Sequence, residues 1–404
     1  MSQFILSKKL NISSFEKYIE PAQNSNQFAN GGWAVNELET RAREMLQISE
    51  SKAIVATSSG TSALHAILFA MMRQNNANMR VATQDFTFPS SSQGPASGPI
   101  ITDIDLNCNM NIYDEFAHNY GQIYIVTNCF GSIQDLDNIL MYAQEHKKIV
   151  IFDNAATPYT FYNGINTCNL GQASFISLHH TKHIGFGEGG LAIVDRHLEE
   201  GVRVACNFGL VDKQFNERGS NFKMSEISAA AILQYWDSFN IDELQKKLVD
   251  NYYEKLFELN KQFQGTVHPN YADEDKFLPS CLPYIFESPM SENDFPDEDC
   301  KKYYHPLRGL PVSKELYNKI ICFPITEGLN VNPAAGVAPE NMFKGVSPDV
   351  ANPAPSLTQR ISEGIRGVGT MGQLGIAGVA QGAKGDMEMR EQARAQAKAL
   401  RGEG

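Results

Sequence analysis

SLHHTKHIGFGEGG, residues 177–190, places a lysine, Lys182, five residues after Ser177 and just ahead of a glycine-rich turn closed by Glu188. A lysine amine is a useful nucleophile only when its pKa is lowered or its nitrogen is tied up as a Schiff base. Taken alone, the segment also reads as a surface lysine in a glycine-rich loop. The rest of the chain has to decide between the two.

Outward from this segment, short β-rich runs alternate with helical stretches. Candidate strands are AIVAT (53–57), MRVATQ (79–84), PIITDID (99–105), QIYIVTN (122–128), KIVIFDN (148–154), SFISLH (174–179) and LAIVD (191–195). Helical patterns lie between them, as in TSALHAILFAMMRQ (61–74) and IQDLDNILMYAQEH (133–146). This alternation predicts an α/β fold with a mostly parallel sheet covered by helices on both faces. Residues 223–262 carry apolar positions three and four apart and predict long helices leading into a smaller C-terminal α/β subdomain. The expected division is a large domain over 1–235, a small subdomain over 236–327 and a Pro/Gly/Ala-rich tail over 328–404. Residues 329–404 hold 12 of the 31 glycines and a single aromatic, Phe343, a composition that reads as a flexible appendage.

Composition narrows the function classes. The net charge of −12 and the absence of basic blocks argue against nucleic acid or an anionic membrane as partner. Seven cysteines are scattered with no CxxC pair and no Cys/His cluster, which predicts reduced thiols in a cytoplasmic protein and no metal site. The start, MSQFILSKKLNISSF, lacks the long apolar core of a signal peptide, and no window offers about 18 uninterrupted apolar residues for a membrane span.

Four further segments carry chemistry. In TSSGTSALHAIL (57–68), a Ser-Gly-Thr turn entering a helix offers backbone N–H groups and the positive helix end to a phosphate, with Gly60 permitting close approach and Thr61 adding a hydroxyl. An ordinary N-cap reads the same way. In IVIFDNAATPYTFYNG (149–164), a β-run ends at Asp153, which places a carboxylate at the sheet edge where open α/β folds bind ligands. DFTFPSSS (85–92) offers Phe88 as an aromatic to lie on a ring, or else as a core residue. ERGSNFKMSEISAAAILQ (217–234) puts Asn221 in a loop before a helix. A hydroxyl, a lysine and tight-turn glycines together match how a pyridoxal phosphate enzyme carries the cofactor aldehyde and part of its phosphate site, and an aspartate anion would keep the pyridine nitrogen protonated.

In this order the segments resemble the DegT/DnrJ/StrS family of pyridoxal-phosphate-dependent nucleotide-sugar aminotransferases. The likeness runs from NGGWAVNELETRARE (30–44) to YYHPLRGLPVSKELYNKIICFPIT (303–326), with SLHHTKHIGFGEGG as its most specific motif and SSGTSALHA, DFTF, ITDID, TNCFGSIQDLD and FDNAATPYTFYNG in support. It implies the fold type I architecture, with residues 1–235 as the cofactor domain. By the same likeness, Lys182 is the Schiff-base and proton-transfer lysine and Asp153 the partner of the pyridine nitrogen. Gly60, Thr61 and Ser177 match phosphate contacts, and Phe88 matches the aromatic beside the ring. Asn221 matches a residue reaching the cofactor phosphate of the neighbouring subunit, so the active unit is expected to be a homodimer with a shared site.

Three departures stand out. Ala156 occupies the position where the family has Gln or His for the cofactor's phenolic oxygen, leaving Asn154, Thr157 or no residue to make that bond. The stretch after Thr326 is replaced by the tail, and the 265–300 region is short. The function implied is transfer of an amine, with glutamate as the expected donor, to a keto sugar carried on a nucleotide, in surface-glycan biosynthesis. A sugar dehydratase is the alternative within the fold, but those relatives carry histidine at the lysine position and Lys182 keeps its register with Ser177. A non-catalytic member acting through its tail is the remaining reading, supported by Ala156 and the altered C-terminus.

Overall fold

A computed structural model of the chain describes residues 3–105, 107–131, 136–267, 277–326 and 328–329. Apart from its first two residues, the glycine-rich tail lies outside the described residues. Two helices come first, α1 (Ile12–Ser25) and α2 (Trp33–Leu46). The Asn11 side chain caps α1 by accepting the Ser14 N–H at 3.2 Å, satisfying one of the helix's orphan donors. There follow β1 (Lys52–Thr57), α3 (Gly60–Gln74), β2 (Val81–Gln84), β3 (Ile100–Thr102), α4 (Glu115–Tyr120), β4 (Ile123–Thr127), α5 (Leu136–Glu145) and β5 (Ile149–Asp153). A two-residue hairpin, β6 (Phe161–Tyr162) and β7 (Ile165–Asn166), precedes β8 (Ala173–Ser177), β9 (Gly190–Asp195) and α6 (Glu199–Cys206).

Seven strands form one sheet in the order β1-β9-β8-β5-β4-β2-β3. All pairs from β8 to β3 are parallel, and β9 runs antiparallel to both its neighbours. The seven strands expected from sequence are these seven, so the mostly parallel α/β reading holds. Such strands are legible because both faces are covered and the apolar run is nearly continuous. Successive side chains still part to opposite faces. Val55, Phe175 and Val194 pack with Leu64, Ile67 and Leu68 of α3 and Val202 of α6. Ile54, Ile176 and Ile193 pack on the other side with Leu38 and Leu46 of α2 and with Ile232 and Leu233 of α7 (Glu226–Trp236). Each of these buried apolar side chains contributes about 1.5–3 kcal/mol relative to exposure.

The chain then forms α8 (Ile241–Gln262), β10 (Gly265–Val267), β11 (Leu282–Phe286), α9 (Pro311–Lys319) and β12 (Ile320–Phe323). Strands β10, β11 and β12 make a separate antiparallel sheet. It is tied to the large sheet through Asp85, whose carboxylate accepts the Arg308 and Leu310 N–H groups at 2.6 Å each. Asp103 does the same for the first turn of α9, accepting from Val312 and Ser313.

Candidate active site

The sheet brings the sequence motifs to one edge by strand register. Gly190, the first residue of β9, lies opposite Thr57 on one side and Ser177 on the other. Asp153, the last residue of β5, pairs with Thr127 and Phe175. The C-terminal ends of β1, β8, β5 and β4 therefore share an edge with the start of β9, the place where open α/β sheets bind ligands. A cavity of about 490 Å³ opens there, and Gly60, Thr61, Phe88, Asp153, Ser177 and Lys182 all line it.

Helix α3 begins at this edge. Its N-cap Ser59 accepts the Ser62 N–H at 3.0 Å, and the Gly60 and Thr61 amides find no acceptor among the described residues. A Cβ on Gly60 would lie 3.0 Å from Ser177 Cβ. A Cβ on Gly190 would lie 2.3 Å from the Ser59 carbonyl carbon. The glycines thus let the turn, the Ser177 strand and the start of β9 touch at backbone level, forming a cradle with two open amides and two hydroxyls at a helix N-terminus. That donor set fits the phosphate of pyridoxal phosphate.

Lys182 lies in the turn between β8 and β9. Its N–H donates to the His179 carbonyl at 2.8 Å, and the Gly185 N–H returns to the Lys182 carbonyl at 2.9 Å. Burial lowers the Lys182 pKa, opposed by the Asp153 charge and by Cys281. At the sheet edge Asp153 is buried and accepts the Ala155 N–H at 2.9 Å. Burial pushes its carboxyl up to about 6, while the Ala155 N–H, Lys182 and Thr127 favour the ionised form. A ring N–H⁺ delivered into this cavity would meet an otherwise costly carboxylate, so Asp153 also fits the cofactor. Phe88 is not a core residue; with 54% exposure it stands at the cavity wall.

The residues around Ala156 clarify the departure there. Ala156 lines the cavity, but Asn154 is fully buried and its amide is committed. Asn128 Nδ2 and Thr167 Oγ1 donate to its Oδ1 at 2.9 and 3.1 Å, and its Nδ2 donates to Ser174 Oγ at 2.8 Å. Thr157 is buried too, with its hydroxyl directed to the Asn128 carbonyl at 3.4 Å. Neither is among the residues lining the cavity.

Asn221 does not join this cavity. It is exposed and bridges Asn207, in a strand-like stretch where Lys223 pairs with Thr57 and the Phe222 carbonyl accepts the Ser58 N–H at 2.8 Å. It therefore flanks the Ser59–Thr61 turn from outside. His305 also stays out of the cavity wall, its ring 5.1 Å from that of Tyr317. Sequence reading overlooked several wall residues. His183 follows the lysine; its Nε2 donates to the Pro279 carbonyl at 3.0 Å, while Nδ1 is buried with no hydrogen-bond partner among the described residues. Burial, then the Lys8 charge, hold His183 down to about 4, so the ring is neutral near pH 7. Phe4 and Ile5 from the N-terminal segment and Cys281, Lys301 and Tyr304 from the later part of the chain complete the wall. Phe4, Ile5, Cys281 and Lys301 belong to no motif and reach the site only through tertiary packing, whereas His183 and Tyr304 lie in quoted segments whose pattern does not say which side chains face the cavity.

An α/β sheet edge with a phosphate cradle, a buried aspartate and a desolvated lysine is the constellation of a pyridoxal phosphate enzyme. Residues 11–284 match the model of the DegT/DnrJ/EryC1/StrS aminotransferase family, and the chain belongs to that family. It is 26% identical over 280 residues to the spore coat polysaccharide biosynthesis protein SpsC of Bacillus subtilis, covering 64% of this chain and 70% of that one. A dTDP-4-amino-4,6-dideoxy-D-glucose transaminase of Shigella dysenteriae is 27% identical over 239 residues, covering 56% of this chain and 63% of the enzyme. Among solved structures, Helicobacter pylori PseC, an aminotransferase involved in the biosynthesis of pseudoaminic acid, superposes with a TM-score of 0.66 at 17% identity, covering 80% and 93% of the two chains. The architecture is fold type I, and the family's cofactor is pyridoxal phosphate.

Proposed function

We propose that this protein is a pyridoxal-phosphate-dependent aminotransferase that places an amine on a keto group of a nucleotide-linked sugar, with glutamate as donor, in surface-glycan biosynthesis. The observation that carries the reading is the convergence of Lys182, Asp153 and the Ser59–Thr61 turn on one cavity. The cofactor, when bound, supplies the electron sink that makes proton loss at an amine-bearing carbon accessible. The chain's own residues do the rest. The Gly60 and Thr61 amides, with the Thr61 and Ser177 hydroxyls, hold the phosphate. Asp153 holds the ring nitrogen in its protonated form. Lys182 carries and returns a proton; burial lowers its pKa, which favours the neutral amine, and its tether keeps it within reach. Phe88 packs on the ring.

The working unit in this reading is a cytoplasmic homodimer in which Asn221 reaches the partner's cofactor phosphate. Exposed Phe208, Val211, Phe215 and Ile227 on the same stretch of chain support a covered face there. Residues 1–235 carry the cofactor and 236–327 supply the outer wall. The test is a panel of nucleotide-linked keto sugars with glutamate, following the visible absorbance of the lysine-bound cofactor through each half-reaction. Glutamate should bleach that band and one class of keto sugar restore it; Lys182→Ala should show neither. Purified protein that binds no pyridoxal phosphate and ignores glutamate would sink the reading.

A further inference from the structure

The turn that carries Lys182 is held from a distant part of the chain. Lys8 Nζ donates to the carbonyls of His180 at 2.7 Å, Lys182 at 2.6 Å and Gly185 at 2.6 Å, which uses all three of its N–H bonds. Two more carbonyls of the same stretch are taken by α7: the Tyr235 hydroxyl donates to His183 at 2.7 Å and Trp236 Nε1 to Ile184 at 2.7 Å. Five of the six carbonyls from His180 to Gly185 are thereby fixed by side chains, and Lys8 takes the one at Lys182 together with one on either side.

Lys8 is itself anchored. Its ammonium lies 5.0 Å from the Tyr235 ring centroid. Three residues on, the Asn11 N–H donates to Gln234 Oε1 at 3.1 Å, and α1 packs on α7. In the other direction the Phe4 N–H donates to Asp299 at 2.7 Å, Thr326 Oγ1 donates to the Gln3 carbonyl, and Phe4 and Ile5 form part of the cavity wall. Among the described residues Lys8 has no carboxylate partner. Burial alone lowers its pKa, to about 7, a cost that a surface lysine would avoid by turning outward. A lysine that merely stapled the N-terminal segment to the body could use any acceptor. This one uses three carbonyls of a single turn.

We propose that Lys8 is a positioning residue for Lys182: it fixes the backbone before, at and after Lys182 so that the Lys182 amine stays directed into the cofactor cavity. The proposal rests on the reading of Lys182 as the cofactor lysine. Small displacements of a reacting group cost rate steeply, so the consequence should be kinetic.

The test uses the full chain freed of cofactor and then mixed with pyridoxal phosphate, in the wild type and in Lys8→Met, Lys8→Gln, Lys9→Met and Lys182→Ala. Two quantities are followed: the rate at which the lysine-bound absorbance develops, and thermal unfolding of the cofactor-free protein. Lys8→Met should unfold within a few degrees of wild type yet load about tenfold to a hundredfold more slowly. Lys8→Gln should fall between, and Lys9→Met, on an exposed neighbour, should load normally. Wild-type loading in Lys8→Met, or equal slowing in Lys9→Met, overturns the proposal. If Lys8→Met does not fold, Lys8→Gln decides by the same criterion; failure of both to fold assigns Lys8 to the fold and overturns it as well. Lys182→Ala keeps the two readings apart, because persistence of the absorbance there overturns the role of Lys182 itself, whatever Lys8 does.

Discussion

Replacing Asp153 by asparagine should stabilise the cofactor-free protein and weaken the loaded one. The carboxyl is 3% exposed and its pKa rises from the ordinary 3.8 to about 6. At about 1.36 kcal/mol per pH unit, that displacement means the ionised side chain costs the empty fold about 3 kcal/mol near neutral pH. Because the folded value lies above the unfolded one, the cost is absent below the unfolded pKa, grows as pH rises from about 4 to about 6, and is fully present above that. Asparagine keeps an oxygen for the Ala155 N–H, now at 2.9 Å, and carries no charge. Urea unfolding of cofactor-free protein should therefore show a gap in favour of Asp153→Asn of under about 1 kcal/mol near pH 4, widening to about 3 kcal/mol near pH 7.5. With pyridoxal phosphate bound, the order should shift toward the wild type, since only the carboxylate gains from the ring N–H⁺. A gap independent of pH, or a variant less stable than wild type when empty at neutral pH, would refute the account of Asp153 as a carboxylate kept costly until the cofactor arrives.

Other substitutions test the surrounding frame. Gly190→Ala would put a Cβ 2.3 Å from the Ser59 carbonyl carbon, so unfolding should cost about 1–3 kcal/mol less and cofactor titration should show weaker phosphate-dependent binding. Tyr235→Phe strips the buried hydroxyl from the His183 carbonyl, and urea unfolding should show a loss of about 1–3 kcal/mol. Glu226 is fully buried and accepts the Gly32 and Ala34 N–H groups at 2.8 and 2.7 Å where α2 begins; Glu226→Ala should lower stability by at least about 1–3 kcal/mol, with proteolysis near residue 32 as the local readout.

Much of this was legible in the sequence, and the reasons are physical. Strands such as KIVIFDN and SFISLH stand out because a sheet covered on both faces demands continuous apolar runs, and α3 stands out because Ser59 and Gly60 mark its start. Asp153, Ser177 and Lys182 could be found because strand ends and tight turns leave local marks. Phe88 could not be assigned a burial from sequence, since an aromatic at a cavity wall and one in the core look alike; the fold puts it at the wall. The substitutes suggested for the missing polar group at Ala156 failed because sequence does not reveal that Asn154 is engaged by three neighbours beneath the site. Lys8 was illegible for a plainer reason. A single lysine near the start of a chain has no pattern, and its acceptors lie 172 to 177 positions away.

That separation gives the N-terminal segment a particular place in time. During synthesis, Lys8 leaves the ribosome well before the residues it grips. At roughly 5–20 residues per second, about ten to a few tens of seconds pass before Gly185 is made, and the α7 residues that hold the other carbonyls follow later. A nascent chain can therefore contain the Ser59–Thr61 turn, and even Lys182, without the fastened loop. On the reading proposed for Lys182, capture of the cofactor in its final geometry then belongs to a late stage of chain growth, after α7 has emerged and the Lys8 segment has folded back across it.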